Sequence, residues 1–231
     1  MKNLIKNMTN IPKFKKEETF LLVSSFTLIL LSFIFMRGGL FELIASLVGV
    51  LSVLLVAKGT PSGQLLMLVF ALLYGLISIR QRYYGEMITY MFMTAPMALL
   101  SLISWLRHPY KGSREVAAER LTVKNTAILA VLTLLVTFIF YFILKALGNA
   151  SLVLSTVSIA TTFAAAGLTF LRSPLYALGY GANDVVLILL WVLASLSDPS
   201  SLPMVTCFTA FLANDLYGFI NWKKMAARQD V

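Results

Sequence analysis

The sequence predicts an all-α membrane protein with eight transmembrane helices, on the strength of three observations. Of its 231 residues, 59% are hydrophobic and 13% are charged, and the mean hydropathy is +0.85, whereas an ordinary soluble domain carries about 25% charged residues. Apolar runs of about 18 to 25 residues, long enough to cross a bilayer, recur along the chain. The Lys and Arg residues concentrate in alternate connecting segments, as the positive-inside rule describes.

The spans are the apolar runs between charged residues, glycines and prolines. If the N-terminus is cytoplasmic, the inner segments hold 15 of the 19 Lys and Arg residues and the outer segments hold 4. Because a missed or extra span after the first would remove this asymmetry, we expect both termini in the cytoplasm. The predicted spans are 19–36, 40–57, 62–79, 85–106, 126–145, 150–171, 174–195 and 202–222.

The spans also set the domain organisation, because no segment is long enough for a separate soluble domain. Three spans, a connecting span and three spans follow an extra first span, and the two triplets would run in the same direction, as in parallel repeats. By eye the halves do not align, so the duplication is an expectation from topology. The divisions are an N-terminal cytoplasmic tail (1–18), the extra span (19–39), a first three-helix bundle (40–106), a cytoplasmic loop with the connecting span (107–148), a second bundle (149–222) and a C-terminal tail (223–231).

Two local features carry structural expectations. The longest hydrophilic stretch, Arg107–Asn125, contains "REVAAER" (Arg114–Arg120), which is compatible with a short helix lying on the membrane surface. Pro96 lies in the middle of the fourth span, where it predicts a kink and a carbonyl without its helical donor.

The chain places an Asn-Asp pair seven residues before a Trp twice, in "NDVVLILLW" (Asn183–Trp191) and "NDLYGFINW" (Asn214–Trp222). Asp184 lies about ten residues into its span and Asp215 about thirteen, so at ~1.5 Å per residue both approach the bilayer middle. Carboxyl groups at that depth are costly and usually face an interior cavity. Two other carboxyls, those of Glu42 and Glu86, fall near the outer span ends and are expected to reach headgroups or water.

Helical phase connects the parts of each motif. Seven residues are nearly two turns, so each Asp shares a face with its Trp. The short loop between the two spans makes them antiparallel, which brings the Asn-Asp pairs level and sends Trp191 outward and Trp222 towards the cytoplasm. This layout fits a small polar ligand with a flat ring. The alternatives are interhelical hydrogen bonding by the Asn and Asp side chains and a membrane-interface position for Trp222 beside two lysines.

The loop "RQRYYGEM" (Arg80–Met87) is a second polar cluster. Its two arginines lie on the predicted outer side, against the positive-inside tendency. Tyr83, Tyr84 and Glu86 are predicted to close the outer mouth or to pair with these arginines. A tight turn around Gly85 is the alternative.

The residues offer little for catalysis. His108 is the single histidine and Cys207 the single cysteine, which leaves no disulfide framework and no cluster with metal-ligand spacing. There is no phosphate-binding loop and no nucleophile beside a base. We therefore expect no enzyme activity, no cofactor, no metal and no ATP-driven pumping by this chain. The net charge of +9 is explained by topology, and we expect no nucleic-acid partner.

Several motifs, in order, resemble the PnuC-type vitamin transporter family over roughly residues 40 to 223. They are "YYGE" before a span with a central Pro96 and a terminal Trp105, Asn-Asp with a Trp in the seventh span, and Asn214-x-x-Tyr217-Gly218-x-x-Asn221-Trp222 in the last. The resemblance implies a SWEET-like three-plus-one-plus-three fold in the bacterial plasma membrane and transport of nicotinamide riboside. Relatives in that family carry thiamine, riboflavin or deoxynucleosides, and a family description names nicotinamide mononucleotide.

The resemblance further implies facilitated diffusion, trapping of the substrate by a cytoplasmic kinase for NAD biosynthesis, and a possible homotrimer. A carboxylate and a Trp face would suit a cationic nicotinamide ring. The other hypothesis is a non-transporting membrane scaffold or lipid-modifying enzyme, with the Asn-Asp pairs as structural contacts. The candidate substrate-binding residues are Asn183, Asp184, Trp191, Asn214, Asp215, Tyr217, Asn221 and Trp222, and the candidate gate residues are Tyr84, Glu86 and Trp105.

Overall fold

The computed structural model describes residues 13–36, 39–80, 84–149, 151–197, 199 and 202–230. Over these residues the chain forms eight long helices and no strand, which confirms the predicted all-α class. Seven are long and apolar enough to cross a membrane, by length and composition. The helices are α1 (Lys16–Met36), α2 (Leu40–Ala57), α3 (Pro61–Arg80), α4 (Tyr84–Arg107), α5 (Val123–Ala146), α6 (Leu152–Phe170), α7 (Tyr176–Ser197) and α8 (Leu202–Arg228).

The eighth helix, α8, is the longest but is less apolar than the others. Asn214 and Asp215 interrupt its apolar run, and its last two turns carry Lys223, Lys224 and Arg228. These charges lie at the end that the positive-inside rule assigns to the cytoplasm. The orientation of the termini and the parallel-repeat relation stay predictions.

The helices pack as two groups, α2–α4 and α6–α8, that meet through α2 against α8 and α4 against α6. Helix α1 lies against α2 and α8. Helix α5 packs against α6, and of its residues only Leu144 is buried. Most apolar side chains of α5 therefore face outward, as expected for a helix surrounded by lipid.

Two aromatic clusters fill the interior, one towards each end of the helices. The inner aromatic cluster, at the predicted cytoplasmic end, joins Trp105 to Trp222 with ring centroids 5.3 Å apart and Tyr176 to Trp222 at 5.0 Å. Its members and those of the outer cluster are buried. The outer aromatic cluster consists of Phe70, Tyr74, Tyr90, Trp191, Phe208 and Phe211.

Pro96 acts on α4 by changing the helix type just before it. Residues Tyr90–Thr94 form a π-helical turn in which the Ala95 N–H donates to the Tyr90 carbonyl. Proline has no N–H to complete an α-helical bond, and a wider turn absorbs that defect. The turn buries Tyr90 and Thr94 in the interior. Such turns often occur at functional sites.

The predicted surface helix in Arg114–Arg120 is wrong, because the structure shows a non-helical segment there. Its backbone donors bond to distant parts of the chain rather than to each other. The Val116 N–H donates to the Gly59 carbonyl at 2.9 Å, and the Glu119 N–H donates to the Arg172 carbonyl at 3.1 Å. The Val116 side chain is fully buried. Tertiary contacts therefore outweigh the local helix preference of this segment.

Candidate functional site

A cavity lies between the two helix groups, at the depth where Asp184 and Asp215 meet. Its free space in this conformation is about 30 Å³, enough for one or two waters but not for a nucleoside. Small-molecule sites typically measure about 300–1,000 Å³, so a ligand of that size requires the lining side chains to move apart. The cavity is lined by Val53, Val56, Gln64, Met67, Phe70, Tyr90, Thr94, Thr162, Tyr176, Tyr180, Asn183, Asp184, Phe211 and Asp215.

The two aspartates dominate the charge of this cavity. Helices α7 and α8 bring their carboxyl groups into side-chain contact with each other, and each residue is only 3% exposed. Among the lining residues that the structure describes, there is no Lys, Arg or His. Two carboxyl groups in hydrogen-bonding contact share a proton, and any negative charge that remains on the buried pair requires a partner. Because the described wall offers no cation, that partner is a second proton or a cationic ligand.

Asn183 is oriented by hydroxyl groups of α6. Its Oδ1 accepts hydrogen bonds from Ser158 at 3.1 Å, Thr161 at 3.0 Å and Thr162 at 2.9 Å. These three hydroxyls occupy the amide oxygen, which leaves the amide N–H groups as donors beside the cavity. The polar residues of the sixth span thus have a role that spacing alone did not reveal.

Three polar atoms of the cavity wall have no hydrogen-bond partner among the described residues. They are Asp184 Oδ2, the Tyr176 hydroxyl and Thr94 Oγ1, all buried. An unpaired buried polar atom costs about 1–3 kcal/mol, and most native buried polar atoms are paired with protein or water. Three such atoms around one cavity therefore point to a polar ligand or to waters that it displaces.

Of the eight candidate substrate-binding residues, Asn183, Asp184 and Asp215 line the cavity. Both tryptophans lie in the aromatic clusters instead. Trp191 Nε1 donates to the Tyr74 hydroxyl at 2.8 Å in the outer cluster. Trp222 Nε1 donates to the Val56 carbonyl at 2.9 Å in the inner cluster. Both indole N–H groups are thus hydrogen-bonded to other parts of the protein, as is usual for buried tryptophan.

The remaining three candidates, Asn214, Tyr217 and Asn221, contact α1 or α2. Asn214 Nδ2 donates to the Ala210 carbonyl at 2.7 Å and to Ser25 Oγ at 3.3 Å. Tyr217 donates its hydroxyl proton to Glu18 Oε1 at 2.9 Å. Asn221 Nδ2 donates to the Ala57 carbonyl at 2.9 Å. This face of α8 therefore joins α8 to α1 and α2.

The candidate gate residues lie at different levels. Tyr84 is exposed at the start of α4, whereas Trp105 lies in the inner cluster and donates from Nε1 to the Thr169 carbonyl at 2.9 Å. The expectation that Glu86 reaches water is wrong, because it is 3% exposed and Oε2 has no described partner. The first turn of α4 points it inward, towards Tyr74 and Tyr90. Tyr83, Arg82 and the side chain of Arg80 lie outside the described residues, so the pairing with arginines stays a prediction.

Sequence reasoning missed most of the uncharged polar wall, namely Gln64, Tyr90, Thr94, Tyr176 and Tyr180. A signal was available on α7, where Tyr176, Tyr180 and Asp184 follow at intervals of four and so share one face. Tyr90 and Thr94 have the same spacing on α4. Because tyrosines near span ends are ordinary interface residues, their presence alone does not indicate a binding site.

No group of three His, Cys, Asp or Glu side chains within the described residues is placed to hold a metal ion. The chain also matches the sequence model of a known protein family. The sequence model of the family described as nicotinamide mononucleotide transporter matches residues 39–224. This range contains every residue of the cavity wall.

Two relatives are similar to this chain over most of their length. The nicotinamide riboside transporter PnuC of Neisseria mucosa is 29% identical over 202 residues, covering 85% of this chain and 76% of that protein. The nicotinamide riboside transporter PnuC of Haemophilus influenzae is 32% identical over 188 residues, covering 80% of each chain.

The fold is similar as well. A crystal structure of the vitamin B3 transporter PnuC superposes with a TM-score of 0.83 at 25% identity, covering 99% of this chain and 97% of the other. The relatives and the fold are those of multi-pass transporters of the bacterial plasma membrane, not of enzymes. The chain therefore belongs to the PnuC family of nicotinamide riboside and nicotinamide mononucleotide transporters.

Proposed function

We propose that this protein carries nicotinamide riboside across the membrane by facilitated diffusion and binds it in the cavity beside Asp184 and Asp215. The observation that carries the proposal is the facing carboxyl pair in a cavity whose described wall holds no cationic side chain. The pyridinium ring of nicotinamide riboside bears a positive charge. In a water-poor cavity the attraction between that charge and a carboxylate is much stronger than in bulk water.

The same charge argument separates the two substrates that the family names contain. Nicotinamide mononucleotide adds a negatively charged phosphate to the riboside. A phosphate beside two buried carboxyls would be repelled, and the described wall offers no Lys or Arg to bind it. The cavity therefore favours the riboside. Among the other vitamins, riboflavin and deoxynucleosides lack a fixed positive charge, whereas thiamine has one.

The uncharged part of the wall suits a ribose and a carboxamide. The Asn183 amide, the Tyr176 hydroxyl and Thr94 Oγ1 are buried groups with spare hydrogen-bonding capacity. The rings of Tyr90 and Tyr180 border the same space and supply aromatic faces for the cationic ring. In this proposal the aromatic faces beside the ligand come from tyrosines, while Trp191 and Trp222 lie in the two aromatic clusters.

Transport requires each end of the cavity to open in turn. Trp222 and Asn221 hold α8 to the end of α2 on the inner side, and the outer aromatic cluster closes the other side. The sequence contains no nucleotide-hydrolysing loop, which supports passive movement. Phosphorylation by a cytoplasmic kinase would then trap the riboside for NAD biosynthesis. The homotrimer implied by the resemblance belongs to this proposal, and mass measurement in detergent tests it.

Uptake of radiolabelled nicotinamide riboside into proteoliposomes tests the proposal. We expect saturable uptake that excess unlabelled riboside inhibits and that an equal concentration of nicotinamide mononucleotide does not. Uptake should stop once the inner and outer concentrations are equal, with no ion gradient imposed. An absence of riboside uptake, together with saturable uptake of thiamine or riboflavin, would contradict the substrate assignment.

A further inference from the structure

A second cavity, the basic cleft, lies at the predicted cytoplasmic end of the molecule. Its volume is about 430 Å³, within the range of about 300–1,000 Å³ for small-molecule sites. Four parts of the chain form its wall: the start of α1, the α2–α3 connection, the loop after α4 and the end of α8. The lining residues are Lys13, Lys15, Glu18, Lys58, Thr60, Arg114, Glu115, Asn221, Lys224, Met225 and Arg228.

The basic cleft carries a surplus of positive charge. Six cationic residues and two acidic ones line it. Both acidic residues are already paired: Glu18 with Lys58, and Glu115 with Arg228 at 2.5 Å. A concave surface of one sign concentrates ions of the opposite sign. The cleft is therefore suited to an anion, in contrast to the central cavity.

The positive-inside rule explains why cations lie at this end, but not why they converge on one cavity. The neighbouring residues Lys223 and Lys224 show the difference. Lys224 lines the basic cleft, whereas Lys223 lies over the Phe219 ring, 4.7 Å from its centroid, and is not part of the wall. Both satisfy the topology rule equally, so position and not mere charge distinguishes the cleft.

The cleft also spans the contacts that close the inner side of the transporter. Asn221 belongs to its wall and donates to the Ala57 carbonyl of α2. The next residue, Trp222, donates to the Val56 carbonyl. A ligand held between Lys58, which directly follows α2, and Lys224 on α8 would add a bridge between the ends of the same two helices. Inner opening requires those helices to separate.

We infer that a phosphate-bearing anion binds in the basic cleft and holds the cytoplasmic side closed, so that it slows transport. Phosphate oxygens accept strong charge-assisted hydrogen bonds from Lys and Arg. The anion is either a cytoplasmic phosphate metabolite or the headgroup of an anionic lipid. The binding step stands on the cleft alone, while the effect on transport rests on the proposed function.

Thermal unfolding of the full chain in detergent, titrated with inorganic pyrophosphate at constant ionic strength, tests the binding step. We expect a saturable rise in Tm, and a roughly tenfold weaker half-saturating concentration for Lys224→Gln because one charge-assisted contact is lost. Lys223→Gln is the matched control and should titrate like the wild type. A second pair of samples, with phosphatidylglycerol or phosphatidylcholine added, separates a lipid headgroup from a soluble phosphate as the source.

Two results would overturn the site. One is no saturable stabilisation by either pyrophosphate or phosphatidylglycerol. The other is an equal loss of pyrophosphate affinity in Lys224→Gln and Lys223→Gln, which would mean general charge screening.

The closure step is tested by riboside uptake with pyrophosphate on both sides of the liposome membrane. We expect slower uptake by the wild type and little change in Lys224→Gln, and an unchanged wild-type rate would refute closure. Because the binding test needs no transport, its failure leaves the proposed substrate unaffected.

Discussion

The Asn-Asp-x6-Trp motif occurs twice, and the two copies have different surroundings. In α7, Asn183 and Asp184 both line the central cavity, with the Asn183 amide held by hydroxyls of α6. In α8, Asp215 lines the cavity, but Asn214 turns to α1 and bonds Ser25. Adjacent residues on a helix point about 100° apart. What lies against each face of the helix, the cavity or another helix, therefore decides the role of the residue there. A motif therefore identifies the depth of a polar residue, but not the face on which it acts.

The largest expected effect concerns the tryptophan that ends each copy. Replacing the fully buried Trp222 with Ala removes a large side chain and the bond to Val56, and we expect a cost of about 3–5 kcal/mol in the free energy of unfolding. Trp191→Ala should cost a similar amount. Thermal unfolding in detergent measures both. If either variant kept its Tm and lost only riboside binding, that tryptophan would belong to the substrate site.

The two asparagines provide the sharpest contrast within the motif. Asn183→Ala should lower riboside uptake at least tenfold, because it removes an amide beside the cavity. Asn214→Ala should cost about 1 kcal/mol of stability through the lost bonds to Ser25 and Ala210, with uptake close to wild type. Initial uptake rates and Tm values, taken on the same preparations, separate the two. The reverse pattern would show that the α8 copy binds the substrate.

The smallest expected effects come from two tyrosine hydroxyls. Tyr217→Phe removes the bond to Glu18 and should cost about 0.5–1.5 kcal/mol of stability. Tyr176→Phe removes a hydroxyl that has no described partner, so stability should stay the same or rise while riboside affinity falls. Equal losses of stability in both variants would mean that the Tyr176 hydroxyl already has a structural partner.

Much of the helical architecture was predictable, since a span must be long and apolar. The predicted span 40–57 coincides with α2, but α8 extends to Arg228, six residues past the predicted end. The segment Arg114–Arg120 was not predictable locally, because its hydrogen bonds go to distant carbonyls.

At the site, Asp184 and Asp215 were predictable, because a carboxyl deep in the membrane is costly and usually faces an interior cavity. The same reasoning could not choose a face for Asn214, because α1 covers it and no local pattern announces that contact. Uncharged residues such as Tyr176 carry no comparable penalty in a span. Only the packing of the helices brings them to the cavity.

The central claim is that the facing carboxyls bind a cationic riboside, and calorimetric titration of purified protein with nicotinamide riboside tests it most directly. We expect Asp184→Asn to weaken binding at least tenfold while keeping its Tm, because the substitution preserves shape and removes charge. The control is Glu119→Gln, which changes a carboxyl that is paired with Arg172 and does not line the cavity; it should bind like the wild type. Unchanged affinity in Asp184→Asn and in Asp215→Asn would contradict the claim.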